Sequence, residues 1–374
     1  MSENRREVFK RELHKIFSDS RVALLLLLGP FFYLLLFGGV YYYGQVRRVP
    51  LAVIDRDNSR LSRELTQALR SSENLRLAFY ARDPQAFKQA VEKGEAVAAV
   101  VFPEHFEREL KRGRQGRVLV LLDAGNILIA NVAYRAVQGV LGTYQVKLKA
   151  ARYLARGVPR SLVKSRAMPL QSEFRILFNP TYHYGFFLLM GLVCISLQQV
   201  TMMGAAIALS LDGKLSGSPG DEFLGRFCAH SLVMLPLGMF AISLPFVLFL
   251  APFRGSWPLL FFATALFMMI AVSTGFWIAG ICRKPALSAQ ALLYLSVPVF
   301  VLSGFSWPMM AMPGWVQGLS NLLPLTHYAG MARRISLMGA GLSDCWSALL
   351  ALIIWLALSL FLGYRGIKKF TPAG

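Results

Sequence analysis

The sequence predicts an α-helical polytopic membrane protein: six transmembrane helices, with an α/β extracytoplasmic domain inserted after the first. Three observations carry this expectation. Of 374 residues, 55% are hydrophobic and 16% charged, and mean hydropathy is +0.48, a balance outside the soluble range. Charge vanishes over six stretches, each long enough to cross a lipid core. Between the first and second lies a polar region, 47–175, where short apolar runs alternate with helical patterns.

The first uncharged run, Val22 to Tyr43, has 22 residues and as a helix extends about 33 Å against a hydrocarbon core of about 30 Å. Its length and the lack of a small-x-small cleavage site favour a retained anchor over a signal peptide. Ahead of it, Val8, Leu13, Ile16 and Phe17 interleave with Arg5, Arg6, Lys10, Arg11 and Lys15. That spacing predicts a cytoplasmic amphipathic helix over 1–20, followed by the first span over 21–46.

In the polar region, Val49 to Ile54 reads as a strand closed by Asp55, Asp57 and Asn58. Ser59 then caps a helix with Leu61, Leu65 and Leu69 on one face. The pattern recurs with Leu75 to Tyr80 before a helix near Pro84, and with Ala96 to Val101 before one near Pro103. Val118 to Leu122 gives a fourth strand and Ile127 to Arg156 a long helix, so a small α/β layer domain is expected over 47–175. It carries 24 basic and 12 acidic residues. Such a surface suits anionic headgroups or polysaccharide, or is simply the solvated face of a basic protein.

Residues 176–374 predict five further spans. Uncharged runs cover Ile176 to Leu211, Phe227 to Phe253, Gly255 to Cys282, Pro285 to Ala332 and Cys345 to Tyr364. The fourth is too long for one helix and carries Pro298, Pro308, Pro313 and Pro324, each costing about 3 kcal/mol in a helix interior. It should break into a span over Ala286 to Ser303 and short re-entrant helices near 304–340. Short segments on one side hold thirteen Lys and Arg, against Arg254, Arg333 and Arg334 opposite. Both termini are therefore placed in the cytoplasm of a bacterial inner membrane.

The net charge of +20 invites a nucleic-acid reading, but the basic residues flank apolar runs without interleaved aromatics, and no nucleic acid is expected. Cys194, Cys228, Cys282 and Cys345 fall in or beside apolar runs, with no metal spacing and no disulfide framework. No GxxxxGK[ST], HExxH or GxSxG occurs, and five dispersed histidines form no local ligand set. The chain is expected to be non-catalytic, without metal or cofactor of its own. Polar side chains on the second span, Asn179, Tyr182, His183, Gln198, Gln199 and Thr201, with Met202, line either a substrate path or a hydrogen-bonded helix contact.

Several stretches are similar to one family. Val53, Ile54, Asp55, Asp57, Asn58 and Ser59 look like an opening strand and turn, and Leu177, Phe178, Asn179 and Pro180 like the lead into a second span. Ser303, Gly304, Phe305, Pro308, Met312, Pro313, Trp315, Pro324, His327, Tyr328 and Arg333 look like an outer re-entrant gate. Together they resemble the type-2 ABC transporter permeases. The resemblance implies an exporter of a drug, lipid or glycolipid, with ATP and Mg bound on a separate ABC ATPase, a second permease subunit, contact with membrane lipid and a periplasmic adaptor. It also implies that the loop near 212–226 couples to the ATPase through Asp212, Gly213, Lys214, Asp221, Glu222 and Arg226, with Arg11 and Lys15 nearby. The family's Arg-Glu pair and Gly-Thr are missing there, so coupling is either asymmetric or carried by Asp221 and Glu222. The alternative is a membrane-anchored scaffold of an envelope complex. A lipid-modifying enzyme would need more than Asp344 and His327.

Overall fold

The computed structural model describes residues 3–170, 175, 177–179, 183–248 and 253–371. The chain divides into two compact units, Met1–Gly44 with Ile176–Gly374, and Gln45–Arg175.

The first unit opens with α1 (Glu3–Ser18), α2 (Ser20–Ala23), a π-helical turn (Leu24–Leu28) and α3 (Gly29–Val40). Asp19 starts α2 by accepting from the backbone N–H groups of Arg21 and Val22. The π turn sits where the helix crosses its neighbour closely: Leu26 fills the space beside Gly204, and Gly29 lies against Val200.

The inserted unit follows. Strand β1 (Val49–Asp55) leads to α4 (Arg60–Arg70), β2 (Leu75–Tyr80) to α5 (Pro84–Glu92), and β3 (Ala98–Phe102) to α6 (Phe106–Lys111). Then come β4 (Leu119–Leu122), the long α7 (Ile127–Ala155) and α8 (Arg160–Ala167). The sheet order is β2-β1-β3-β4, with β1 parallel to β2 and β3, and β4 antiparallel to β3. Leu51 and Val53 point to a layer with Leu61, Leu65, Leu69 and Val137, while Ala52 and Ile54 meet Phe87 and Ala90. The period of two thus feeds both faces. Asp55 turns the chain after β1 by accepting from the N–H of Asp57 and of Asn58, and Ser59 and Ser62 form a reciprocal capping box. Helix α8 was not anticipated. It is short, with only Val163 and Ala167 buried, so it carries too little periodicity to read.

The first unit then resumes with α9 (Tyr184–Leu211), α10 (Pro219–Leu248), α11 (Trp257–Cys282), α12 (Pro285–Leu302), a 3₁₀ turn (Met309–Ala311), α13 (Gly314–Asn321), α14 (Pro324–Met338) and α15 (Leu342–Lys368). Among the described residues six helices are long and apolar enough to cross a membrane: Ser20–Val40, Leu188–Leu211, Pro219–Leu248, Trp257–Cys282, Pro285–Leu302 and Leu342–Lys368. The predicted six-span fold class with an inserted α/β domain is thus observed.

One difference from the sequence expectation has a physical reason. Helix α10 begins at Pro219, before the uncharged run, because Pro219 suits a first turn, Ser218 accepts from the Asp221 N–H, and Asp221 and Glu222 favour the positive helix start. The loop after α9 is correspondingly short, and Asp221, Glu222 and Arg226 stand on helix. Pro298 stays inside α12, in keeping with the expected span over Ala286 to Ser303, as a span tolerates. Pro308, Pro313 and Pro324 instead precede or start the next three short helices.

Helices α9 and α11 form the centre of the bundle: 72% of the α9 span is buried, against 11% of α12. Backbones approach closely where α11 crosses α15. A Cβ on Gly366 would stand 2.3 Å from the Phe276 carbonyl oxygen, and one on Gly280 would stand 2.4 Å from Gly366 Cα. Dispersion between such close backbones is what holds helices together in lipid. Replacing Gly366 by Leu should force α11 and α15 apart, seen as a lower melting temperature and poor monodispersity in detergent; wild-type melting would show that the crossing tolerates a side chain.

Candidate functional site

The most concentrated polar chemistry of the first unit lies where α1 packs across the start of α10. In α1, Val8, Glu12 and Ile16 form one buried stripe at a spacing of four. In α10, Glu222, Arg226 and His230 form a second stripe at the same spacing, also buried. The backbones can meet because Gly225 has no side chain: a Cβ there would lie 2.8 Å from Val8 Cβ and 3.1 Å from the Arg5 carbonyl oxygen.

Arg226 is the hub, with no exposed surface. Its guanidinium meets Glu12 at 2.7 Å, Asp212 at 2.6 Å and Glu222 at 3.0 Å. Each carboxylate is held by a second group. Glu12 Oε1 lies 2.9 Å from His230 Nε2. Arg11 Nη2 donates to both oxygens of Glu222 at 2.8 Å. Lys15 Nζ pairs with Asp212 at 2.5 Å and also donates to the Ala208 carbonyl. At the rim Arg5 meets Asp221 at 3.2 Å, and Ser218 donates to the same carboxylate. Four cations therefore face four carboxylates. The loop has one further tether, Leu215 N–H donating to the Phe370 carbonyl beyond α15.

Burial alone would raise the Glu12 carboxyl, but the His230 contact and the charges of Arg226 and Lys15 outweigh it and bring it from 4.5 to about 2. A buried charge survives only when paired and hydrogen-bonded. Among the described residues no group of three or more His, Cys, Asp and Glu is placed to hold a metal.

The structure brings together Arg11, Lys15, Asp212, Asp221, Glu222 and Arg226 from the predicted coupling set. Glu222 and Arg226 are buried against α1 and offer no surface to another chain. Gly213 and Lys214 stand apart at the exposed tip of the loop, Gly213 at φ +65°. Sequence reasoning missed Glu12, Arg5 and His230. The signal was present: an acid midway between Val8 and Ile16 on an apolar stripe, opposite Glu222, Arg226 and His230 at intervals of four.

The predicted path residues scatter. Asn179 accepts from the His183 N–H and donates to its carbonyl. Tyr182 lies outside the described residues. Thr201 and Met202 pack between α9 and α11, Thr201 against Met268 and Met202 against Gly275. Gln198 is buried, whereas Gln199 lies on a half-open α9 stripe with Leu188, Leu192, Ile195, Met203 and Ile207.

In the predicted gate, Pro308 and Pro313 each precede a short helix and Pro324 begins α14. Met312 is buried and Trp315 exposed. His327 Nε2 lies 2.7 Å from the Asn321 carbonyl. Tyr328 stacks on Phe267 at 4.0 Å between ring centroids, with its hydroxyl 3.0 Å from Thr264 Oγ1. Phe305 fills the gap left by Gly191, under the Arg333 guanidinium.

Six long apolar helices and an inserted α/β unit define the class, a multi-pass membrane protein. The chain matches the family described as ABC-2 family transporter protein over residues 21–365, and it belongs to that family. It is 23% identical over 362 residues to the probable multidrug ABC transporter permease YbhR of Escherichia coli K12, covering 93% of each chain. It is 26% identical over 325 residues to the inner membrane transport permease YhhJ of the same strain, covering 83% of this chain and 82% of that one. ABC transporter G family member 20 of Dictyostelium discoideum is 27% identical over 206 residues, which is 51% of this chain and 28% of that protein. The chain is thus a membrane permease subunit of an ABC transporter, whose ATPase activity resides in separate subunits.

Replacing Arg226 by Met should cost about 3–5 kcal/mol, because Glu12 and Glu222 stay buried without their cation; thermal melting in detergent measures it. Adding Glu12→Gln should recover part of the loss. Ionised Glu12 stabilises the α1 contact, since its folded value lies below its ordinary 4.5. That contribution is complete above about pH 4.5 and is lost as pH falls towards 2. A nitroxide at Phe17→Cys, with Cys228 and Cys282 replaced by Ser, should gain mobility only in that window.

Proposed function

We propose that this chain is the force-transmitting permease half of an exporter that moves a hydrophobic or amphipathic cargo, a drug, lipid or glycolipid, out of the cytoplasm or inner membrane. The carrying observation is the ionic block that joins α1, the loop after α9 and the first turns of α10 into one body. A body braced this way passes a push at its surface to α9 and α10 without yielding. The exposed tip at Gly213 and Lys214, with Arg6, Lys10 and His14 on the outer face of α1, is the surface a partner ATPase would press.

The excess of Lys and Arg beside this end supports a cytoplasmic position for it and for both termini, with the inserted unit outside. ATP and Mg belong to the ATPase chain, whose closure drives the movement. A second permease subunit, of the same or another sequence, would complete the path, bordered here by the half-open α9 stripe around Gln199 and Met203, while the helices from Met309 to Met338 cap its outer end. Lipid would bathe the exposed sides of α12, and an adaptor would meet the inserted unit. The multidrug designation of the relative YbhR supports an apolar cargo, as does a stripe with one amide among aliphatic side chains.

Two variants test the reading in vesicles holding the complex. Lys214→Glu should weaken copurification of the ATPase while leaving the permease folded. Asp221→Asn with Glu222→Gln should leave ATP hydrolysis near normal but reduce efflux of a lipophilic dye roughly tenfold, the effect of about 1.4 kcal/mol of lost coupling. Normal efflux by the double variant would remove the block from the coupling role.

A further inference from the structure

The inserted unit is electrically lopsided. Residues 47–123 carry fifteen Lys and Arg against eleven Asp and Glu, whereas 124–172 carry eight Lys and Arg and no acid. The second set lies on α7 and α8. Lys149 and Arg152 share one face of α7 with Arg156 just past its end, and Arg160 and Lys164 share a face of α8 with Arg166 nearby. All are exposed. Arg152 donates to the Leu110 carbonyl at 2.6 Å. Among the described residues Lys149, Arg156, Arg160, Lys164 and Arg166 have no ion-pair partner.

The hairpin is built to hold these charges in place. Gly157, at φ +77°, closes α7 with its N–H donating to the Leu154 carbonyl, while Val158 N–H donates to that of Tyr153, the paired bonds of a glycine-terminated helix end. Val163 and Ala167 are buried and pin α8 down. That leaves Leu162 at 46%, Met168 at 43% and Leu170 at 83% exposure beside the cations. Exposed leucines and methionine among unpaired basic groups form an interfacial surface: the apolar groups enter the headgroup boundary and the cations meet phosphates.

We propose that the α7–α8 hairpin is a membrane-surface contact that seats the inserted unit on anionic phospholipid. Charge complementarity selects this occupant, since Lys149, Arg156, Arg160, Lys164 and Arg166 meet no acid among the described residues. Position along the chain supports it, because the unit is spliced between two spans and α8 immediately precedes the return to the second. The inference rests on the spans alone, not on cargo, coupling or side of the membrane.

The full chain should be reconstituted in nanodiscs of phosphatidylcholine, with or without phosphatidylglycerol, and hydrogen–deuterium exchange followed in peptides covering 147–170. Phosphatidylglycerol should slow exchange there roughly tenfold, salt should reverse the effect, and Arg160→Glu with Lys164→Glu and Arg166→Glu should abolish it. Unchanged protection of β1 and β3 shows that the variant is folded; should it unfold, Leu162→Ser with Leu170→Ser, which keeps every charge, should weaken the same protection. Equal exchange in the two lipid compositions overturns the proposal. So does protection that appears only when an acidic protein or polysaccharide is added.

Discussion

A fully buried guanidinium governs how one end of this molecule is assembled. Arg226 needs carboxylates on several sides, and it draws them from three places in the chain: Glu12 on α1, Asp212 after α9 and Glu222 one turn back on its own helix. Bringing so many charges out of water is tolerable only when every one is paired. The segments must therefore arrive together, which makes the amphipathic N-terminal helix a structural member of the bundle. Gly225 supplies the clearance, and Val8 and Ile16 flank the charge with apolar contact on both sides.

The rest of the bundle relies on different physics. Where α11 crosses α15, Gly280, Gly363 and Gly366 let backbone meet backbone, so cohesion comes from short-range packing. The far side of the polar network is built from prolines that start short helices and from an aromatic stack of Tyr328 on Phe267. Ion pairs with partners drawn from three segments resist shear; a string of short helices joined by turns accommodates movement. That contrast is the one the proposed coupling role would use.

Much of the architecture was legible because it is local. Ser59 after Asp55, Asp57 and Asn58 marks a turn into a helix through hydrogen bonds spanning a few residues. Strands and helices of the inserted unit, α8 excepted, follow from alternation, and all six spans from length without charge. The start of α10 escaped that criterion because a helix may carry charge in its first turns when another element covers it. Pro298 was expected inside its span, and it is tolerated there because neighbouring helices re-satisfy the backbone groups a proline frees. Of the expected path residues, Thr201 and Met202 turn into the protein and Gln199 lies on the open stripe, a distinction set by which neighbours α9 meets.

The sequence by itself determined that this chain lives in lipid, how often it can cross, that an α/β layer unit interrupts the spans, and which family it joins. All of these follow from periodicity, hydropathy and the order of elements along the chain. Only the tertiary structure decided that Glu12 belongs with Arg226 and His230, more than two hundred residues away. It also decided that Asp221 and Glu222 face the chain's own first helix. Pairing across such separations depends on which helix faces cross and how closely, and a glycine at the crossing point carries that information only once the partner helix is in place.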